Sequence, residues 1–455
     1  MCGISGIISN DNILYHLYYS LFHLQHRGQD SCGMVLIRDD KYTIIKREGL
    51  VKNLYNDLDN NIYNIGIGHV RYKTSGVLSL NQTQPFIIDN ISLCHNGNIY
   101  NYKEIENYIL KKYNKLVSYN NDSELLLKLF YYELENKDLN NNNIKNIILN
   151  ISNICKGSYS VIIMIKDYGL ICFKDKYGIR PLIYGKNDNG YIVCSESIAI
   201  DNLDYNKLNE IEPGEMLIIK NNLEIYKKLY TIGILNFCIF EYIYISRPET
   251  ILNNINVYDV RLKLGEKLGY NIKNILSKNE LHEIDYVIPI PQTSKPVALR
   301  LSEIINKPYR EGIINNRYID RTFIMNNQKI RNNNIKLKMS VVNSIVKNKN
   351  IVIVDDSIVR GNTIKHIIQL LKNNNVKKIY VCICCPPIKY KNIYGIDIPS
   401  ETELIANNLS INEIEKKINV NKLIYLNEND MINCIKYFNN SLSFDLSIFN
   451  GNYII

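Results

Sequence analysis

The chain predicts an α+β domain followed by an α/β domain built on a parallel sheet. Three observations carry this. The 455 residues exceed one ordinary hydrophobic core and suit two. The first half is a succession of short β-like runs separated by Gly, Asn and Asp turns. In the second half strands and helices alternate, which is the pattern of parallel pairing through helical crossovers.

The β-like runs of the first half fall at residues 3–8, 34–37, 42–46, 65–69, 91–93, 160–165, 170–174, 191–194 and 215–219. Two helix candidates interrupt them, at 14–24 and 122–135, with Asp122 or Ser123 placed to cap the second. The Asn-rich stretch 136–145 reads as solvated loop or helix end. The second half is expected to run through a helix at 257–277, a buried strand at 286–290 and a further helix. A polar segment near 314–340 follows, then a strand at 351–354, a helix at 363–373 and a strand at 378–384. The expected domains are 2–230 and 231–455, the latter with C-terminal helices, and the change of character lies within 230–256.

Composition narrows the function classes. Hydrophobic residues make up 46% and charged residues 22%, as in globular chains that build a core. No basic n-region opens the chain, and no apolar run approaches the roughly 18 residues of a membrane span. The expected compartment is therefore the cytoplasm, with no membrane partner. The net charge of +9 comes from lysines dispersed among many Asn, Ile and 35 Tyr. No helix-turn-helix pattern accompanies it, so no nucleic-acid partner is expected, although a basic surface also suits a polyanionic small substrate. Eleven cysteines are scattered, mostly inside apolar runs. Cys382 and Cys385 form C-x-x-C within IYVCICCPP, but no His or second Cys pair completes a zinc site, and a buried strand is the better reading.

The first set of chemistry-bearing residues starts at Cys2. Trimming of Met1 would give Cys2 a free α-amine, which titrates near roughly 7.7–8.0 and can act as base for its own thiol. Met-Cys alone is a weak signal, since an ordinary buried cysteine is commoner. The surroundings strengthen it: CGISGI is followed by QHRGQD (25–30), GHVRYKTSG (68–76), QPF (84–86), HNGNIYNY (95–102) and NDSELL (121–126). This ordered set resembles class II glutamine amidotransferase domains, which are N-terminal-nucleophile hydrolases with a four-layer αββα architecture. The resemblance implies that Cys2 attacks the glutamine side-chain amide, and that a γ-glutamyl thioester forms as ammonia leaves. It makes Arg71 the clamp for the substrate α-carboxylate and Asp122 the partner of its α-ammonium. Thr74 becomes a substrate contact, and Asn96 with the Gly97 N–H becomes the oxyanion hole. Read alone, Arg71 could be a surface ion pair and Asn96-Gly97 a turn. His69 and His95 are expected to be structural.

The second set is IVIVDDSIVRGNT (351–363). A strand ends in two acids, and a loop carrying hydroxyls, Arg and Gly opens a helix whose first N–H groups suit a phosphate. For Asp-Asp-Ser alone, an acidic cap on a strand–helix turn is the simpler reading. The complete run resembles the 5-phosphoribosyl 1-pyrophosphate (PRPP) signature of type I phosphoribosyltransferases. That resemblance implies that Asp355 and Asp356 face the ribose diol and magnesium. It puts Ser357, Arg360, Gly361, Asn362 and Thr363 around the phosphate, with Asn362 where Thr is usual. VIPIPQTSKP (287–296) resembles the pyrophosphate loop, with Ser294 near the metal and Gln292 where Glu is common. YREGIINNRYIDRTFI (309–324), with Lys338 after it, resembles the closing loop, and makes Arg321 and Lys338 pyrophosphate contacts.

The two sets in this order resemble the glutamine–PRPP amidotransferase family, pentosyltransferases that start purine synthesis. FEYIYISRPET (240–250), KYGIRPLIYG (176–185) and IYGIDIPSETELIA (393–406) add to the likeness. It implies conversion of PRPP, glutamine and water to 5-phosphoribosylamine, pyrophosphate and glutamate. Ammonia would pass through an internal channel, with one Mg2+ per subunit, and with Arg27, Tyr72, Tyr258 and Ile324 at coupling positions. Purine nucleotides as feedback inhibitors and a homotetramer are further implications. Two features depart from some members. Only Met1 precedes Cys2, so no propeptide is expected. Of four cysteine positions for a [4Fe–4S] cluster only Cys238 remains, with Asn392, Asp445 and Ile448 at the others, so no iron–sulfur cluster is expected. Two other readings stand beside this one. The first is another class II amidotransferase, against which the PRPP signature speaks. The second is a non-catalytic PRPP-binding regulator, which would need neither Cys2 nor Arg71.

Overall fold

Seven antiparallel strands form the first sheet, in the spatial order Asn206–Glu210, Ile183–Lys186, Gly190–Cys194, Gly3–Ser9, Ile65–Arg71, Ser31–Arg38, Lys41–Glu48. Six more form the second, in the order Ile225–Leu229, Glu215–Lys220, Gly169–Lys174, Gly157–Ile165, Ile91–Ile99, Phe86–Ile88. In the computed structural model of the chain, the described residues are all except 40, 73–79, 317–338, 399 and 455.

The two sheets stack face to face because each is apolar on both sides. Ile4, Ile8, Val35 and Ile67 of the first meet Ile162, Met164, Leu170 and Leu217 of the second in one buried cluster. Helix Leu14–His23 covers the outer face of the first sheet, burying Leu14, Leu17 and Leu21. Helices Tyr102–Tyr113, Asp122–Leu134 and Asn141–Ile154 share the core of the second sheet. The result is the αββα layering that the resemblance implied.

All nine expected strands are present, several with longer ends. The strand expected at 91–93 runs to Ile99, so His95, Asn96 and Gly97 lie in a strand and not in a turn. Asn121, not Asp122 or Ser123, caps helix Asp122–Leu134, its side chain accepting from the Glu124 N–H. That leaves the Asp122 carboxylate for other partners. The Asn-rich stretch is a helix start: Asn140 accepts from the N–H groups of Asn142 and Asn143 and opens Asn141–Ile154.

The second half holds a four-stranded parallel sheet, in the order Tyr286–Pro289, Asn350–Asp355, Lys378–Ile383, Lys422–Tyr425. Buried on both faces, its strands read as continuous Val, Ile and Cys runs. Cys382, Cys384 and Cys385 are fully buried there, and burial pushes their thiols up. Helix Val257–Ile275 packs against Lys295–Ile305 so closely that a Cβ on Gly265 would stand 2.3 Å from the Val297 carbonyl oxygen. The chain's end returns to the connection between the halves, where Phe444–Asp445 pairs in parallel with Phe237–Cys238. Among the described residues no helix is long and apolar enough to cross a membrane.

Candidate functional site

Cys2 enters the central strand of the first sheet. The register that sets Gly3 opposite Val70 brings Cys2 level with Arg71 on the neighbouring strand. Its Sγ lies 3.9 Å from the Tyr72 carbonyl oxygen. Its own carbonyl accepts from Arg27 Nε at 3.0 Å, so the backbone behind the thiol is pinned by a buried guanidinium. The terminal amine of Met1 is pushed down to about 6, mainly by burial. Cys2 and Asp397 oppose that shift, while Arg180 and Arg27 add to it. That amine is Met1's own and leaves with it; the base that the resemblance implies is the amine freed at Cys2 by trimming.

Arg71 is 8% exposed; its Nη2 donates to Gln82 Oε1 at 3.0 Å, and its Nη1 has no partner among the described residues. Asn96, 1% exposed, likewise holds its side-chain Nδ2 without a partner. Buried donors are nearly always paired, because a lost hydrogen bond there costs about 1–3 kcal/mol. Other buried polar atoms of this half are also without a hydrogen-bond partner among the described residues, His69 Nδ1 and Nε2, Ser92 Oγ and Arg180 Nη1 among them; Arg71 and Asn96 differ in standing at the positions that the family resemblance gives to substrate. Gly97 has φ +155°, and a Cβ there would stand 2.0 Å from the Ser158 carbonyl oxygen, so only glycine fits this backbone.

Asp122 Oδ2 accepts from the Ile99 N–H at 3.1 Å and lies 3.7 Å from His95 Nδ1. The carboxylate therefore sits at the far end of the strand that carries Asn96 and Gly97. His95 is locked by Ser123 Oγ at 3.0 Å and by Gln84 Oε1, which accepts from its N–H at 2.7 Å. Burial holds both His95 and His69 below the usual imidazole range. That fits structural, uncharged rings. Thr74 lies outside the described residues.

In the second half, Asp355 ends the strand Asn350–Asp355 and Asp356 begins the loop to helix Asn362–Asn373. Gly361 occupies the N-cap position with φ +79°, and no side chain caps that helix. Its first N–H groups are thus left for an anion. Burial pushes the Asp355 carboxyl well above its ordinary range, and the neighbouring Asp356 adds to this. Asp356 is raised by burial too, against hydrogen bonds from Ser357 and Thr293 and the nearby charge of Arg261. Ser357 Oγ donates to Asp356 Oδ1 at 2.6 Å, and Thr293 Oγ1 donates to Asp356 Oδ2. Ser294 is fully buried and spends its hydroxyl on the Ile290 carbonyl. Arg360 Nε reaches Glu403 at 2.7 Å on the surface. Arg321, Lys338 and Ile324 lie outside the described residues.

Residues 69–202 match the family model described as a Glutamine amidotransferase domain, and residues 263–436 match the Phosphoribosyl transferase domain. An amidophosphoribosyltransferase of Pseudomonas aeruginosa is 38% identical, over 100% of this chain and 93% of its own length. The chain belongs to the amidophosphoribosyltransferase family. Relatives of that name from Escherichia coli (37% identical) and Saccharomyces cerevisiae (34%) also cover 100% of this chain and 92% of their own. Among solved structures, glutamine PRPP amidotransferase from B. subtilis, complexed with ADP and GMP, superposes with a TM-score of 0.87 at 32% identity, over 100% of this chain and 97% of that one. A second, described as the allosteric regulatory enzyme of purine biosynthesis, gives 0.88 at 33%, over 100% and 96%.

Within this amidophosphoribosyltransferase-family chain, sequence reasoning missed two groups. Thr293 bonds Asp356, a contact not named beside the expected Ser294. Glu196, Arg180 and Glu241 surround Arg27, and all four side chains are fully buried. The second group had a signal, since Arg180 and Glu241 fall in the family-like runs 176–185 and 240–250. Neither run says by itself that they meet.

Proposed function

We propose that Cys2 and the loop after Asp355 divide one reaction between them. The enzyme converts PRPP, glutamine and water to 5-phosphoribosylamine, pyrophosphate and glutamate, the first committed step of purine synthesis. The observation that carries the glutaminase assignment is the register that brings Cys2 level with Arg71 in a chain whose residues 69–202 match the Glutamine amidotransferase domain, with the buried donors Arg71 Nη1 and Asn96 Nδ2 unfilled among the described residues.

Once Met1 is trimmed, the Cys2 amine takes the thiol proton. It stays beside Arg27, whose Nε holds the Cys2 carbonyl. The thiolate attacks the glutamine amide carbon, and the oxyanion accepts from Asn96 Nδ2 and the Gly97 N–H. The amine returns its proton to the departing ammonia, and water releases glutamate from the thioester. Arg71 clamps the substrate carboxylate and Asp122 its ammonium, with Thr74 beside them. Replacing Asn96 by Ala is expected to lower kcat for glutamine by roughly 10²–10³. Steady-state glutaminase assays check this, and an unchanged kcat would exclude Asn96 from the oxyanion hole.

Ammonia, passed through an internal channel, attacks the anomeric carbon of PRPP as pyrophosphate leaves. The helix N-terminus at Asn362 and Thr363, with Ser357, Arg360 and Gly361, holds the 5-phosphate. Arg321 and Lys338 are the proposed pyrophosphate contacts. An acid pair with raised carboxyls, Asp356 buried and Asp355 half-buried, fits a divalent cation. Two carboxylates suffice, because Mg2+ is commonly held by one or two of them plus substrate phosphates. Magnesium, when bound, neutralises charge on the leaving pyrophosphate. Purine nucleotides are the proposed feedback ligands, since a relative was solved with ADP and GMP. A homotetramer in the cytoplasm is the proposed state, with no iron–sulfur cluster, and domains at 2–230 and 231–455.

The deciding experiment is pyrophosphate release in the presence of PRPP and glutamine. Release is expected only with both, or with PRPP and free ammonia. No release with either nitrogen source, from folded protein free of Met1 by mass spectrometry, would overturn the reading.

A further inference from the structure

The run FEYIYISRPET supplies a residue that neither half-reaction has used. Glu241 opens the π-helical turn Glu241–Ile245 in the connection between the halves, and it is 0% exposed. A carboxylate taken fully out of water must be matched by charge and hydrogen bonds. Arg27 supplies two of them, Nη2 to Oε1 at 2.8 Å and Nη1 to Oε2 at 3.1 Å. Arg180 brings Nη1 to 3.6 Å from Oε1. Ser246 Oγ donates to Oε2 at 2.7 Å.

Each arginine has a second, directed contact, and both contacts end at the glutaminase centre. Arg27 Nε holds the Cys2 carbonyl at 3.0 Å. Arg180 Nε holds the Tyr394 carbonyl at 2.9 Å, and that carbonyl also accepts from Ser158 Oγ at 2.8 Å. Ser158 pairs with Asn98 across the second sheet. The next residue, Gly395, lies so close that a Cβ on it would come within 2.7 Å of the Gly97 carbonyl oxygen. The backbone of the nucleophile and the support of the oxyanion strand therefore both lead to the Glu241 carboxylate, one through hydrogen bonds from Arg27, which also pairs with Glu196, the other through the 3.6 Å ion pair of Arg180. That carboxylate also reaches the second half, because the Ser246 carbonyl accepts from Arg261 Nη2 in helix Val257–Ile275 at 2.7 Å.

We propose that Glu241 is a positioning residue for glutamine hydrolysis, setting the distance between the Cys2 backbone and the Gly97 backbone through Arg27 and Arg180. The proposal rests on the roles given to Cys2 and Gly97 above. A purely structural ion pair would hold the halves together and affect both reactions alike. A positioning residue acts on glutamine chemistry alone.

The test replaces Glu241 by Gln, which keeps the shape and removes the charge. The expected result is a fall of about 10–100-fold in kcat for glutamine, as for other residues that orient a reacting group. KM for glutamine should stay within about twofold, which marks an interaction made in the transition state. Ammonia-dependent synthesis of phosphoribosylamine should be unchanged. The acid limb of the kcat/KM profile should move to lower pH. Arg27 holds the carbonyl of the residue whose amine is freed by trimming, and the variant leaves Arg27 and Arg180 with less counter-charge, which disfavours protonation of that amine. Glu241→Asp should recover part of the loss. Ser246→Ala, which deletes only the hydroxyl donated to Glu241, should show the same pattern at smaller amplitude, and it decides the matter if Glu241→Gln does not fold. Equal loss of the glutamine and ammonia reactions, or wild-type kcat with an unmoved acid limb in a folded variant, would overturn the proposal. Failure of the underlying assignment would look different: Cys2→Ala would then still consume glutamine.

Discussion

Cys2→Ala is expected to abolish glutamine use, by roughly 10⁴-fold or more, while ammonia-dependent synthesis of phosphoribosylamine continues at the wild-type rate. The size follows from the loss of a covalent intermediate, for which no neighbouring side chain substitutes. The ammonia reaction is spared because it needs only the second centre, on a different sheet. Among the described residues the remaining cysteines of the first half, at 32, 94, 155, 172 and 194, are buried with thiols pushed up, so none can take over. Paired assays with glutamine and with ammonium chloride at alkaline pH check this. Simultaneous loss of both activities in a folded variant would break the two-centre account.

Asp355→Asn is expected to lower phosphoribosyl transfer from either nitrogen source by on the order of 10²–10³, corresponding to several kcal/mol of lost charge stabilisation. Glutamine hydrolysis should survive. Stability should move the other way. The folded-state carboxyl of Asp355 is raised, so the native protein binds its proton more tightly than the unfolded chain does. Such a group costs nothing below the unfolded value and becomes destabilising as pH rises through the folded one. Asn carries no such penalty. The variant should therefore melt at a higher temperature than wild type at neutral pH, with the gap closing as pH falls into the acidic range. Thermal melts across pH, without PRPP or metal, check the sign. A variant less stable than wild type at neutral pH would contradict the strain assigned to the acid pair.

Much of the fold was legible because strand burial leaves a local trace. Residues 160–165 and 351–354 are apolar at nearly every position, and the structure buries every one of them. What escaped was either very short, as in the largely buried four-residue strands Ile183–Lys186 and Lys422–Tyr425, or polar and Asn-rich. Strands Asn206–Glu210 and Ile225–Leu229 are edge strands, mostly exposed, with Lys and Asn where an inner strand needs Val or Ile. Helix Asn141–Ile154 carries Ile144, Ile147, Ile148 and Ile151 on one buried face at helical spacing, but the seven residues from Asn140 to Asn146, five of them Asn, conceal its start. The candidate sites divided in the same way. Cys2, Asn96, Gly97 and Asp355 sit in contiguous motifs whose chemistry can be read in place. Glu241 and Arg27 are 214 residues apart, and nothing local announces that they meet.

That separation bears on the order in which the protein is made. The first half, with Arg27 and Arg180, leaves the ribosome before Glu241 does, and domains tend to fold as they emerge. In a nascent chain stopped short of Glu241, Arg27 and Arg180 would be buried without it, and Arg180 would lack the Tyr394 carbonyl. The turn against Gly97 comes still later, only about sixty residues before the end. The first-made half is thus the last to be finished.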